Sequence, residues 1–376
     1  MTLYRVGNEV KLGRIEFNEG EIRGSTVAAL SDGGWVVVWA DYSNDLESYV
    51  IYQQHYDSSG QRLLPVGTKV KATQAEGDQL LLDPQPVVTA LADGGWVVTW
   101  SAVPTVDSQI KYIYQQRFIP NLAPTSIVLN GLPAPEASAS GTPVGTLTGG
   151  DANLPYGDQL TYELIDDAGG RFSLQGDRIV VADGLKLDFE QARSHSIVVR
   201  ATDRDGKSVT QTVAVPVGDV ARENVTGSNG PDRFVGGADV DQFRGMGGDD
   251  VLTGGLGNDV LTGGAGKDVF VFDQKPNKKT NMDVITDYLV KDDSIHLENS
   301  IFKKLGKKGS PEAPAKLSKS FFALDKATDA NDYLVYVRKT GALFYDEDGS
   351  GSKAAVQIAK LPKKLAKFSA AEFFVI

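Results

Sequence analysis

The chain has 376 residues, of which 41% are hydrophobic and 9% aromatic, with 41 glycines and 16 prolines. A chain of this length usually forms more than one domain, each with its own hydrophobic core. The glycine and proline content favours strands and turns over long helices. The formal net charge of −11 argues against a nucleic-acid partner, because phosphate binding needs a basic surface, and favours a cation. The absence of cysteine excludes disulfides and thiolate metal sites.

Residues 1–20 lack the basic and apolar segments of a secretory signal peptide. No apolar run in the sequence approaches the ~20 residues that a membrane-spanning helix requires. We therefore expect a protein without a membrane span, whose export uses another signal.

An imperfect repeat occupies the first region, residues 1–121. The sequence ALSDGGWVVVWA, from Ala29 to Ala40, returns as ALADGGWVVTWS, from Ala90 to Ser101. An Asp-Gly-Gly turn followed by alternating Trp and Val predicts a hairpin with one buried face. The repeat resembles the Trp-rich β-repeats of large bacterial surface proteins. The side chains expected to point inward are Trp35, Trp39, Trp96 and Trp100.

Short, evenly spaced strand patterns between turns predict a β-sandwich over residues 122–220. The motifs VGTLTGGD, LDFE, SIVVRATDRDG and TVAVPVGDV resemble the cadherin-like domains of bacterial adhesins. That resemblance implies calcium held at one pole by a Glu near the first strand, a D-x-E-type motif and the Asp of an A-T-D motif. Acids of this kind are also typical of solvated turns, so both interpretations stand. The matching residues are Glu136, Asp188, Glu190 and Asp203.

Five contiguous nonapeptides, here called repeats one to five, run from Gly227 to Val271: GSNGPDRFV, GGADVDQFR, GMGGDDVLT, GGLGNDVLT and GGAGKDVFV. Glycines at positions one, two and four permit positive φ and let carbonyl oxygens converge. The position-six aspartates add charge, and such hard oxygen donors favour Ca²⁺ over zinc or copper. The predicted calcium ligands and turn glycines are Asp232, Asp241, Asp250, Asp259, Asp268, Gly245, Gly248, Gly254, Gly255, Gly257, Gly263, Gly264 and Gly266.

Each nonapeptide comprises one turn and one short strand, so two repeats complete a coil and repeats two apart stack. Ions between stacked turns would then lie between the aspartates 232/250, 241/259 and 250/268. Glycine- and aspartate-rich tracts also occur as flexible linkers. A flexible linker, however, would not need an apolar residue at position eight of every nine-residue repeat. The pattern resembles the calcium-binding RTX repeat, which implies a parallel β-roll over residues 226–272.

The last region, residues 273–376, resembles the C-terminal part of RTX proteases and related calcium proteins. The resemblance implies β-strands that cap the open end of the roll, where a solenoid would otherwise expose its core. It also implies a C-terminal signal read by the type I secretion machinery, and the ending AEFFVI, with Glu372 before four apolar residues, fits this expectation.

The sequence gives no candidate for catalysis. His55, His195 and His296 lie in three different segments, and none belongs to an H-E-x-x-H zinc motif. No G-x-S-x-G elbow or cysteine offers a nucleophile. We therefore expect a protein that is not an enzyme.

The expected fold is all-β and multidomain, with Trp-rich β-repeats, a cadherin-like sandwich, a parallel β-roll and a β-rich cap. The expected function is that of a secreted RTX adhesin or extracellular matrix protein that folds on calcium outside the cell and binds cell-surface polysaccharide or neighbouring cells. One alternative is a secreted effector acting on host membranes. The other is a non-catalytic or remnant module of a secreted polysaccharide-degrading enzyme.

Overall fold

The computed structural model describes residues 22–43, 48–63, 68–70, 85–103 and 112–376. The expectation about residues 1–20 falls outside this part of the chain. The described fold is nearly all β, as the composition predicted, and none of its helical segments is long and apolar enough to cross a membrane. These segments are the single 3-10 turns Leu154–Tyr156, Gly184–Lys186, Lys319–Phe321 and Ala370–Glu372.

The chain divides into two compact units, residues 1–122 and 123–376. In the first, each copy of the Trp-containing repeat forms an antiparallel hairpin within a small sheet. The strand orders are β1-β2-β3-β4 and β5-β6-β7. The strands are β1 (Ile22–Ala29), β2 (Trp35–Ser43), β3 (Ser48–Tyr56), β4 (Thr68–Val70), β5 (Val87–Ala90), β6 (Trp96–Ala102) and β7 (Tyr112–Phe118).

The two copies of the repeat turn opposite faces of their strands towards the core. Trp96 and Trp100 are 3% and 2% exposed in the second copy, whereas in the first copy the buried partners are Val36 and Val38, both at 0%. Trp35 is only half-buried, so the expectation that it points inward is wrong. The side chains of a strand alternate between faces, and the first copy packs its other face against the core.

The second unit begins with a β-sandwich whose strands pair antiparallel, except for one short parallel pair. Its sheets have the orders β12-β13-β10-β8 and β11-β14-β15-β9, and a cluster of buried apolar side chains, including Phe172, Ile197 and Val199, lies between them. The strands are β8 (Ser126–Gly131), β9 (Ala134–Pro135), β10 (Pro143–Gly150), β11 (Thr161–Asp166), β12 (Phe172–Gln175), β13 (Arg178–Val181), β14 (Ser194–Thr202) and β15 (Ser208–Gly218).

A parallel roll follows, and its strands pair with those two repeats away. Phe243 pairs with Leu261 in one sheet, and Leu252 pairs with Phe270 in the other. The position-eight side chains line the interior at 0–4% exposure. The strands are β16 (Asn224–Thr226), β17 (Arg233–Val235), β18 (Gln242–Gly247), β19 (Val251–Thr253), β20 (Val260–Ala265) and β21 (Val269–Phe272).

The C-terminal region closes the roll by continuing both of its sheets. The orders become β16-β18-β20-β22-β28-β27-β26-β25 and β17-β19-β21-β23-β29-β24. One core therefore runs from the roll into the cap. The strands are β22 (Asp283–Ile285), β23 (Ser294–Leu297), β24 (Ala315–Lys316), β25 (Phe322–Leu324), β26 (Leu334–Val337), β27 (Ala342–Tyr345), β28 (Val356–Lys360) and β29 (Phe373–Val375).

Candidate calcium centre

The position-six aspartates form two columns, one along each edge of the roll where the chain turns. The backbone N–H of Asp232 donates to Oδ1 of Asp250 at 2.8 Å, and that of Asp250 donates to Oδ1 of Asp268 at 3.0 Å. In the other column the N–H of Asp241 donates to Oδ1 of Asp259 at 2.8 Å. One carboxylate oxygen of each stacked acid is thus fixed by the backbone, with the two-repeat spacing that the sequence predicted.

In four of the five position-six aspartates the second carboxylate oxygen is buried without a hydrogen-bond donor. This holds among the described residues for Oδ2 of Asp241, Asp250, Asp259 and Asp268. A Cβ atom added to the position-one glycine of each repeat would lie 2.5 Å or less from Oδ2 of the aspartate in the same repeat. Each Oδ2 atom therefore points into the turn of its own repeat. A buried carboxylate oxygen without a donor is costly, and a cation is the partner that such an oxygen fits.

Backbone carbonyl oxygens converge on the same turns. A Cβ on Gly255 would lie 2.5 Å or less from the carbonyl oxygens of Gly236 and Gly237, and one on Gly264 would lie equally close to that of Met246. Gly255 and Gly264 also have φ of +81° and +104°, which favour glycine. The glycines therefore allow successive turns to stack with their oxygens facing inward, as calcium coordination requires.

The acids of the columns carry raised pKa values. Burial raises the pKa of Asp241 and Asp250 to about 6 and that of Asp259 to about 7, and neighbouring carboxylates add to each shift. Burial disfavours the charged form, and like charges disfavour it further. A divalent cation between the turns would remove both penalties.

Two acids of the cap extend the columns beyond the nonapeptides. Oδ1 of Asp283 accepts from the N–H of Asp259 at 3.2 Å, and Oδ1 of Asp293 accepts from that of Asp268 at 3.1 Å. The repeat pattern did not predict either acid, because both fall outside the nine-residue spacing. The sequence does contain a signal for them: positions six to eight of each repeat read Asp-x-apolar, and the same triplet occurs again as Asp-Val-Ile from Asp283 and as Asp-Ser-Ile from Asp293.

The columns also gain a member before the first repeat. Residues 218–226 form a coil in register with the repeats, with Glu223 at position six and Val225 at position eight. The N–H of Glu223 donates to Oδ1 of Asp241 at 2.9 Å, and Val225 pairs with Phe243. Counting nine residues back from Gly227 would have found this coil.

Repeat one differs from those that follow it. Oδ2 of Asp232 accepts from the N–H of Ser228 at 2.6 Å and is therefore partnered within its own turn. Asp232 is also half-buried, whereas Asp250 and Asp268 in the same column are 0% and 1% exposed. Of the five predicted aspartates, Asp232 is the least suited to bind an ion.

Three of the four acids predicted in the sandwich lie together. Ligand atoms of Glu136, Asp188 and Glu190 all fall within 4.8 Å of one another. The carboxylate of Glu136 accepts from the N–H of Phe189 and, at 2.7 Å, from that of Val220. The sandwich therefore has an acidic cluster at its C-terminal pole, next to the roll.

Asp203 does not belong to this cluster, and the expectation of a single pole is wrong. Asp203 follows the end of β14, whereas the other three acids lie near the start of this nine-residue strand. Its carboxylate instead groups with those of Asp151 and Asp158. Oδ1 of Asp203 accepts from the N–H groups of Asp205 and Lys207 at 2.9 and 2.8 Å, as in a tight turn.

Two family models match the second unit. Residues 132–218 match the model of the Cadherin domain, and residues 217–252 and 244–274 match that of the RTX calcium-binding nonapeptide repeat (4 copies). No curated protein matches the chain in sequence. The chain thus contains a cadherin-like domain followed by calcium-binding RTX repeats. This confirms the predicted resemblances to cadherin-like domains and to RTX repeats, and the prediction that the chain binds Ca²⁺.

Solved structures similar to the chain include cadherins and RTX modules. Chicken VE-cadherin EC1-2 is 23% identical with a TM-score of 0.25, over 33% of this chain and 67% of that one. The AlgE6R3 subunit of the Azotobacter vinelandii mannuronan C5-epimerase is 23% identical with a TM-score of 0.27, over 42% and 80%. Drosophila N-cadherin EC1-3 is 15% identical with a TM-score of 0.23, over 56% and 62%.

Proposed function

We propose that this protein is a secreted, calcium-dependent adhesin that acts by binding and not by catalysis. The observation that carries this proposal is the pair of acid columns, in which buried carboxylate oxygens face the turns without a hydrogen-bond donor. Such oxygens disfavour folding until a cation binds. The cadherin-type sandwich joined to the roll supports an extracellular role in adhesion.

Calcium-coupled folding fits export followed by function outside the cell. In a calcium-poor cytosol the like charges of the columns oppose folding, and the loose chain suits the type I secretion machinery. Calcium at the ~0.1–1 mM that extracellular modules bind would then fold the roll. In this scheme calcium both triggers the fold and confines it to the outside of the cell.

A cleft between the sandwich and the roll is our candidate for polysaccharide binding. It has a volume of about 400 Å³. Its charged and polar groups of both signs suit the hydroxyl and carboxylate groups of an acidic polysaccharide. Because the roll supplies one wall, the cleft is complete only when the roll is folded. Its titratable lining residues are Arg171, Asp183, Lys186, Asp188 and His195 from the sandwich and Asp232 and Arg233 from the roll.

Co-sedimentation of the full chain with an acidic exopolysaccharide, in calcium and in chelator, tests this proposal. We expect binding in calcium only, weakened by Arg233→Gln in the cleft and unchanged by Arg178→Gln on the exposed side of β13. Absence of binding in calcium would contradict the adhesin proposal.

The same samples address the two alternatives. Leakage of dye from anionic liposomes would favour an effector that acts on membranes. Release of reducing ends or unsaturated products from the polysaccharide would favour an enzyme, with Asp183 and His195 of the cleft as the first residues to change.

A further inference from the structure

The cap carries an excess of positive charge on an acidic protein. Residues 273–376 contain 18 lysine and arginine residues against 14 aspartate and glutamate residues, whereas the whole chain has a net charge of −11. Some of these acids, such as Asp283 and Asp293, are buried in the columns, which leaves the surface of the cap more positive still. A negatively charged ligand is therefore attracted to the cap and repelled by the rest of the chain.

A groove of about 600 Å³ on the cap, here called the basic groove, gathers four cations. It lies between the turn that joins β26 to β27 and the loop 361–368. Its charged lining residues are Arg338, Lys339, Lys364, Lys367 and one acid, Asp325.

The single acid of the basic groove is already paired. Oδ1 of Asp325 accepts from the backbone N–H of Arg338 at 3.0 Å, and Oδ2 accepts from the Nε–H of the same arginine at 2.9 Å. Within the described part of the chain, no carboxylate forms an ion pair with any of the three lysines. Three positive charges therefore line the groove without a counter-charge.

The backbone around the groove adopts a conformation that residues with a Cβ avoid. Asp325, Lys364 and Lys367 have φ of +67°, +58° and +64°, and they are three of the seven non-glycine residues with positive φ in the described ranges. This conformation costs free energy, persists where surrounding contacts impose it, and clusters at sites that hold ligands. A loop that served only as a solvated surface would be more stable with glycine at both lysine positions.

Contacts with β26 and the core fix this loop. The buried Tyr336 donates its hydroxyl hydrogen to the carbonyl of Pro362, and the N–H of Lys364 donates to the carbonyl of Arg338 at 3.0 Å. Phe368 is 3% exposed, and its ring packs on that of Tyr336 with centroids 4.8 Å apart. The lysines thus project from a backbone that is ordered before any ligand binds, which lowers the entropic cost of binding.

The lining favours a carboxylated polysaccharide over a membrane or a nucleic acid. Phe368, the one aromatic residue among the described lining residues, is turned into the core, so the groove offers no ring to insert between acyl chains or to stack on a base. Lysine ammonium groups donate to carboxylates from many directions. Leu324, at 41% exposure beside them, offers apolar surface to the CH groups of a sugar ring.

We propose that the basic groove of the cap binds uronate groups of an acidic polysaccharide, with Lys339, Lys364 and Lys367 as the residues that bind the carboxylates. The groove is a second site, separate from the cleft between the sandwich and the roll. One chain then holds a polysaccharide at two places, which raises its avidity. This inference rests on the proposed function and extends it by naming the ligand chemistry of the second site.

Fluorescence anisotropy of the full chain in calcium, with a labelled oligosaccharide of the glucuronate-containing polymer hyaluronan, tests the lysines. We expect the glutamine pair, Lys364→Gln with Lys367→Gln, to raise the Kd about tenfold, because two cations that pair with carboxylates are lost. The matched control, Lys278→Gln with Lys307→Gln, removes the same charge at exposed positions outside the groove and should change the Kd less than about twofold. An unchanged Kd in the glutamine pair, or an equal rise in the control, would overturn the proposal.

A glycine pair tests whether the backbone is held against its own preference. Lys364→Gly with Lys367→Gly removes the same charges and lets both positions adopt positive φ without strain. We expect this variant to bind hyaluronan as weakly as the glutamine pair but to have a higher Tm in calcium, so that its loss of binding cannot come from unfolding. Wild-type affinity in the glycine pair would overturn the site, and a Tm no higher than that of the glutamine pair would overturn the argument from a strained, preordered loop.

Vesicles of phosphatidylglycerol and phosphatidylcholine test the membrane as the ligand of the groove. In co-sedimentation we expect the wild type and the glutamine pair to bind these vesicles to the same small extent. Vesicle binding that the glutamine pair loses, without binding of the wild type to hyaluronan, would assign the groove to anionic lipid and overturn the polysaccharide proposal.

These measurements separate this inference from the proposed function. If the wild type binds neither hyaluronan nor the acidic exopolysaccharide in calcium, both fail. If the wild type binds the exopolysaccharide, and the glutamine pair binds it and hyaluronan equally well, only the site in the cap fails.

Discussion

The sandwich and the roll lie side by side in one compact unit but use buried residues in opposite ways. The sandwich encloses an apolar cluster between its two sheets. The interior of the roll is lined by one position-eight side chain from each repeat, and the edges beside it are columns of buried, like-charged carboxylates. We therefore predict that apolar burial is enough to keep the sandwich folded without calcium, whereas the roll needs a counter-charge.

Removing the carboxylate charges of the acid columns should have the largest effect on the calcium dependence that distinguishes the roll from the sandwich. A variant with Asp250→Asn, Asp259→Asn and Asp268→Asn should lose the gain of β signal that calcium produces in far-UV circular dichroism, because folding and binding are coupled. Asp249→Asn, at the exposed neighbouring position, should keep that gain. A full calcium response in the triple variant would show that these carboxylates are not the ligands.

Crowding the oxygens of one turn should have the next largest effect. Gly245→Ala would place a Cβ 2.5 Å or less from Oδ2 of Asp250 and from the carbonyl oxygen of Gly263, at a position where φ is not positive, so the perturbation falls on these two oxygens. We expect the calcium concentration at the midpoint of folding to rise about tenfold or more. The control Gly230→Ala, whose Cβ position has only Ser228 Oγ nearby, at 3.7 Å, should leave the midpoint in place. An equal shift in both variants would refute this explanation.

Acidity should stabilise the calcium-free roll and leave the calcium-bound roll less affected. In the unfolded chain a carboxyl group has a pKa near ~4, whereas burial raises that of Asp259 to about 7 in the folded roll. The folded state therefore holds more protons between these values, and the stability of the calcium-free roll falls as pH rises from ~4 to ~7. Thermal unfolding should show a calcium-induced rise in Tm that is larger near ~pH 8 than near ~pH 5. A calcium-induced rise in Tm that is larger near ~pH 5 than near ~pH 8 would contradict the presence of buried, unpaired carboxylates in the calcium-free roll.

Surface charge in the sandwich should matter least. Arg200 and Glu163 form an ion pair whose side chains are 43% and 59% exposed. We expect Glu163→Gln to change the free energy of unfolding by less than ~1 kcal/mol in urea titrations. A larger change would show that the sandwich also depends on charge pairing.

The sequence predicted the regular part of the molecule because that part is periodic. The nine-residue spacing alone gave the pairing of repeats two apart, the inward position-eight residues and the columns of position-six acids. Asp241, Asp250, Asp259 and Asp268 were all identified in this way. Periodicity is informative here because each repeat packs in the same way against the repeats two positions before and after it.

The errors and omissions lie where the period ends or where long-range contacts decide the position of a residue. Asp283 and Asp293 continue the columns after irregular insertions, and Glu223 starts one in a coil that has no glycine at positions two and four. Asp203 lies directly after the end of β14, at the opposite end of that strand from the other three acids. The A-T-D motif alone does not show at which end of the sandwich its aspartate lies. Trp35 is half-buried because the two repeat copies pack opposite faces, a choice made by tertiary contacts.

Hydrogen exchange of the full chain, with and without calcium, tests the central contrast most directly. We predict that chelation removes the protection of roll amides such as those of Val251, Val260 and Val269, while the amides of Ile197 and Val199 in the sandwich stay protected. Equal protection of the roll amides in calcium and in chelator would contradict the account, because the roll would then be stable without its ions.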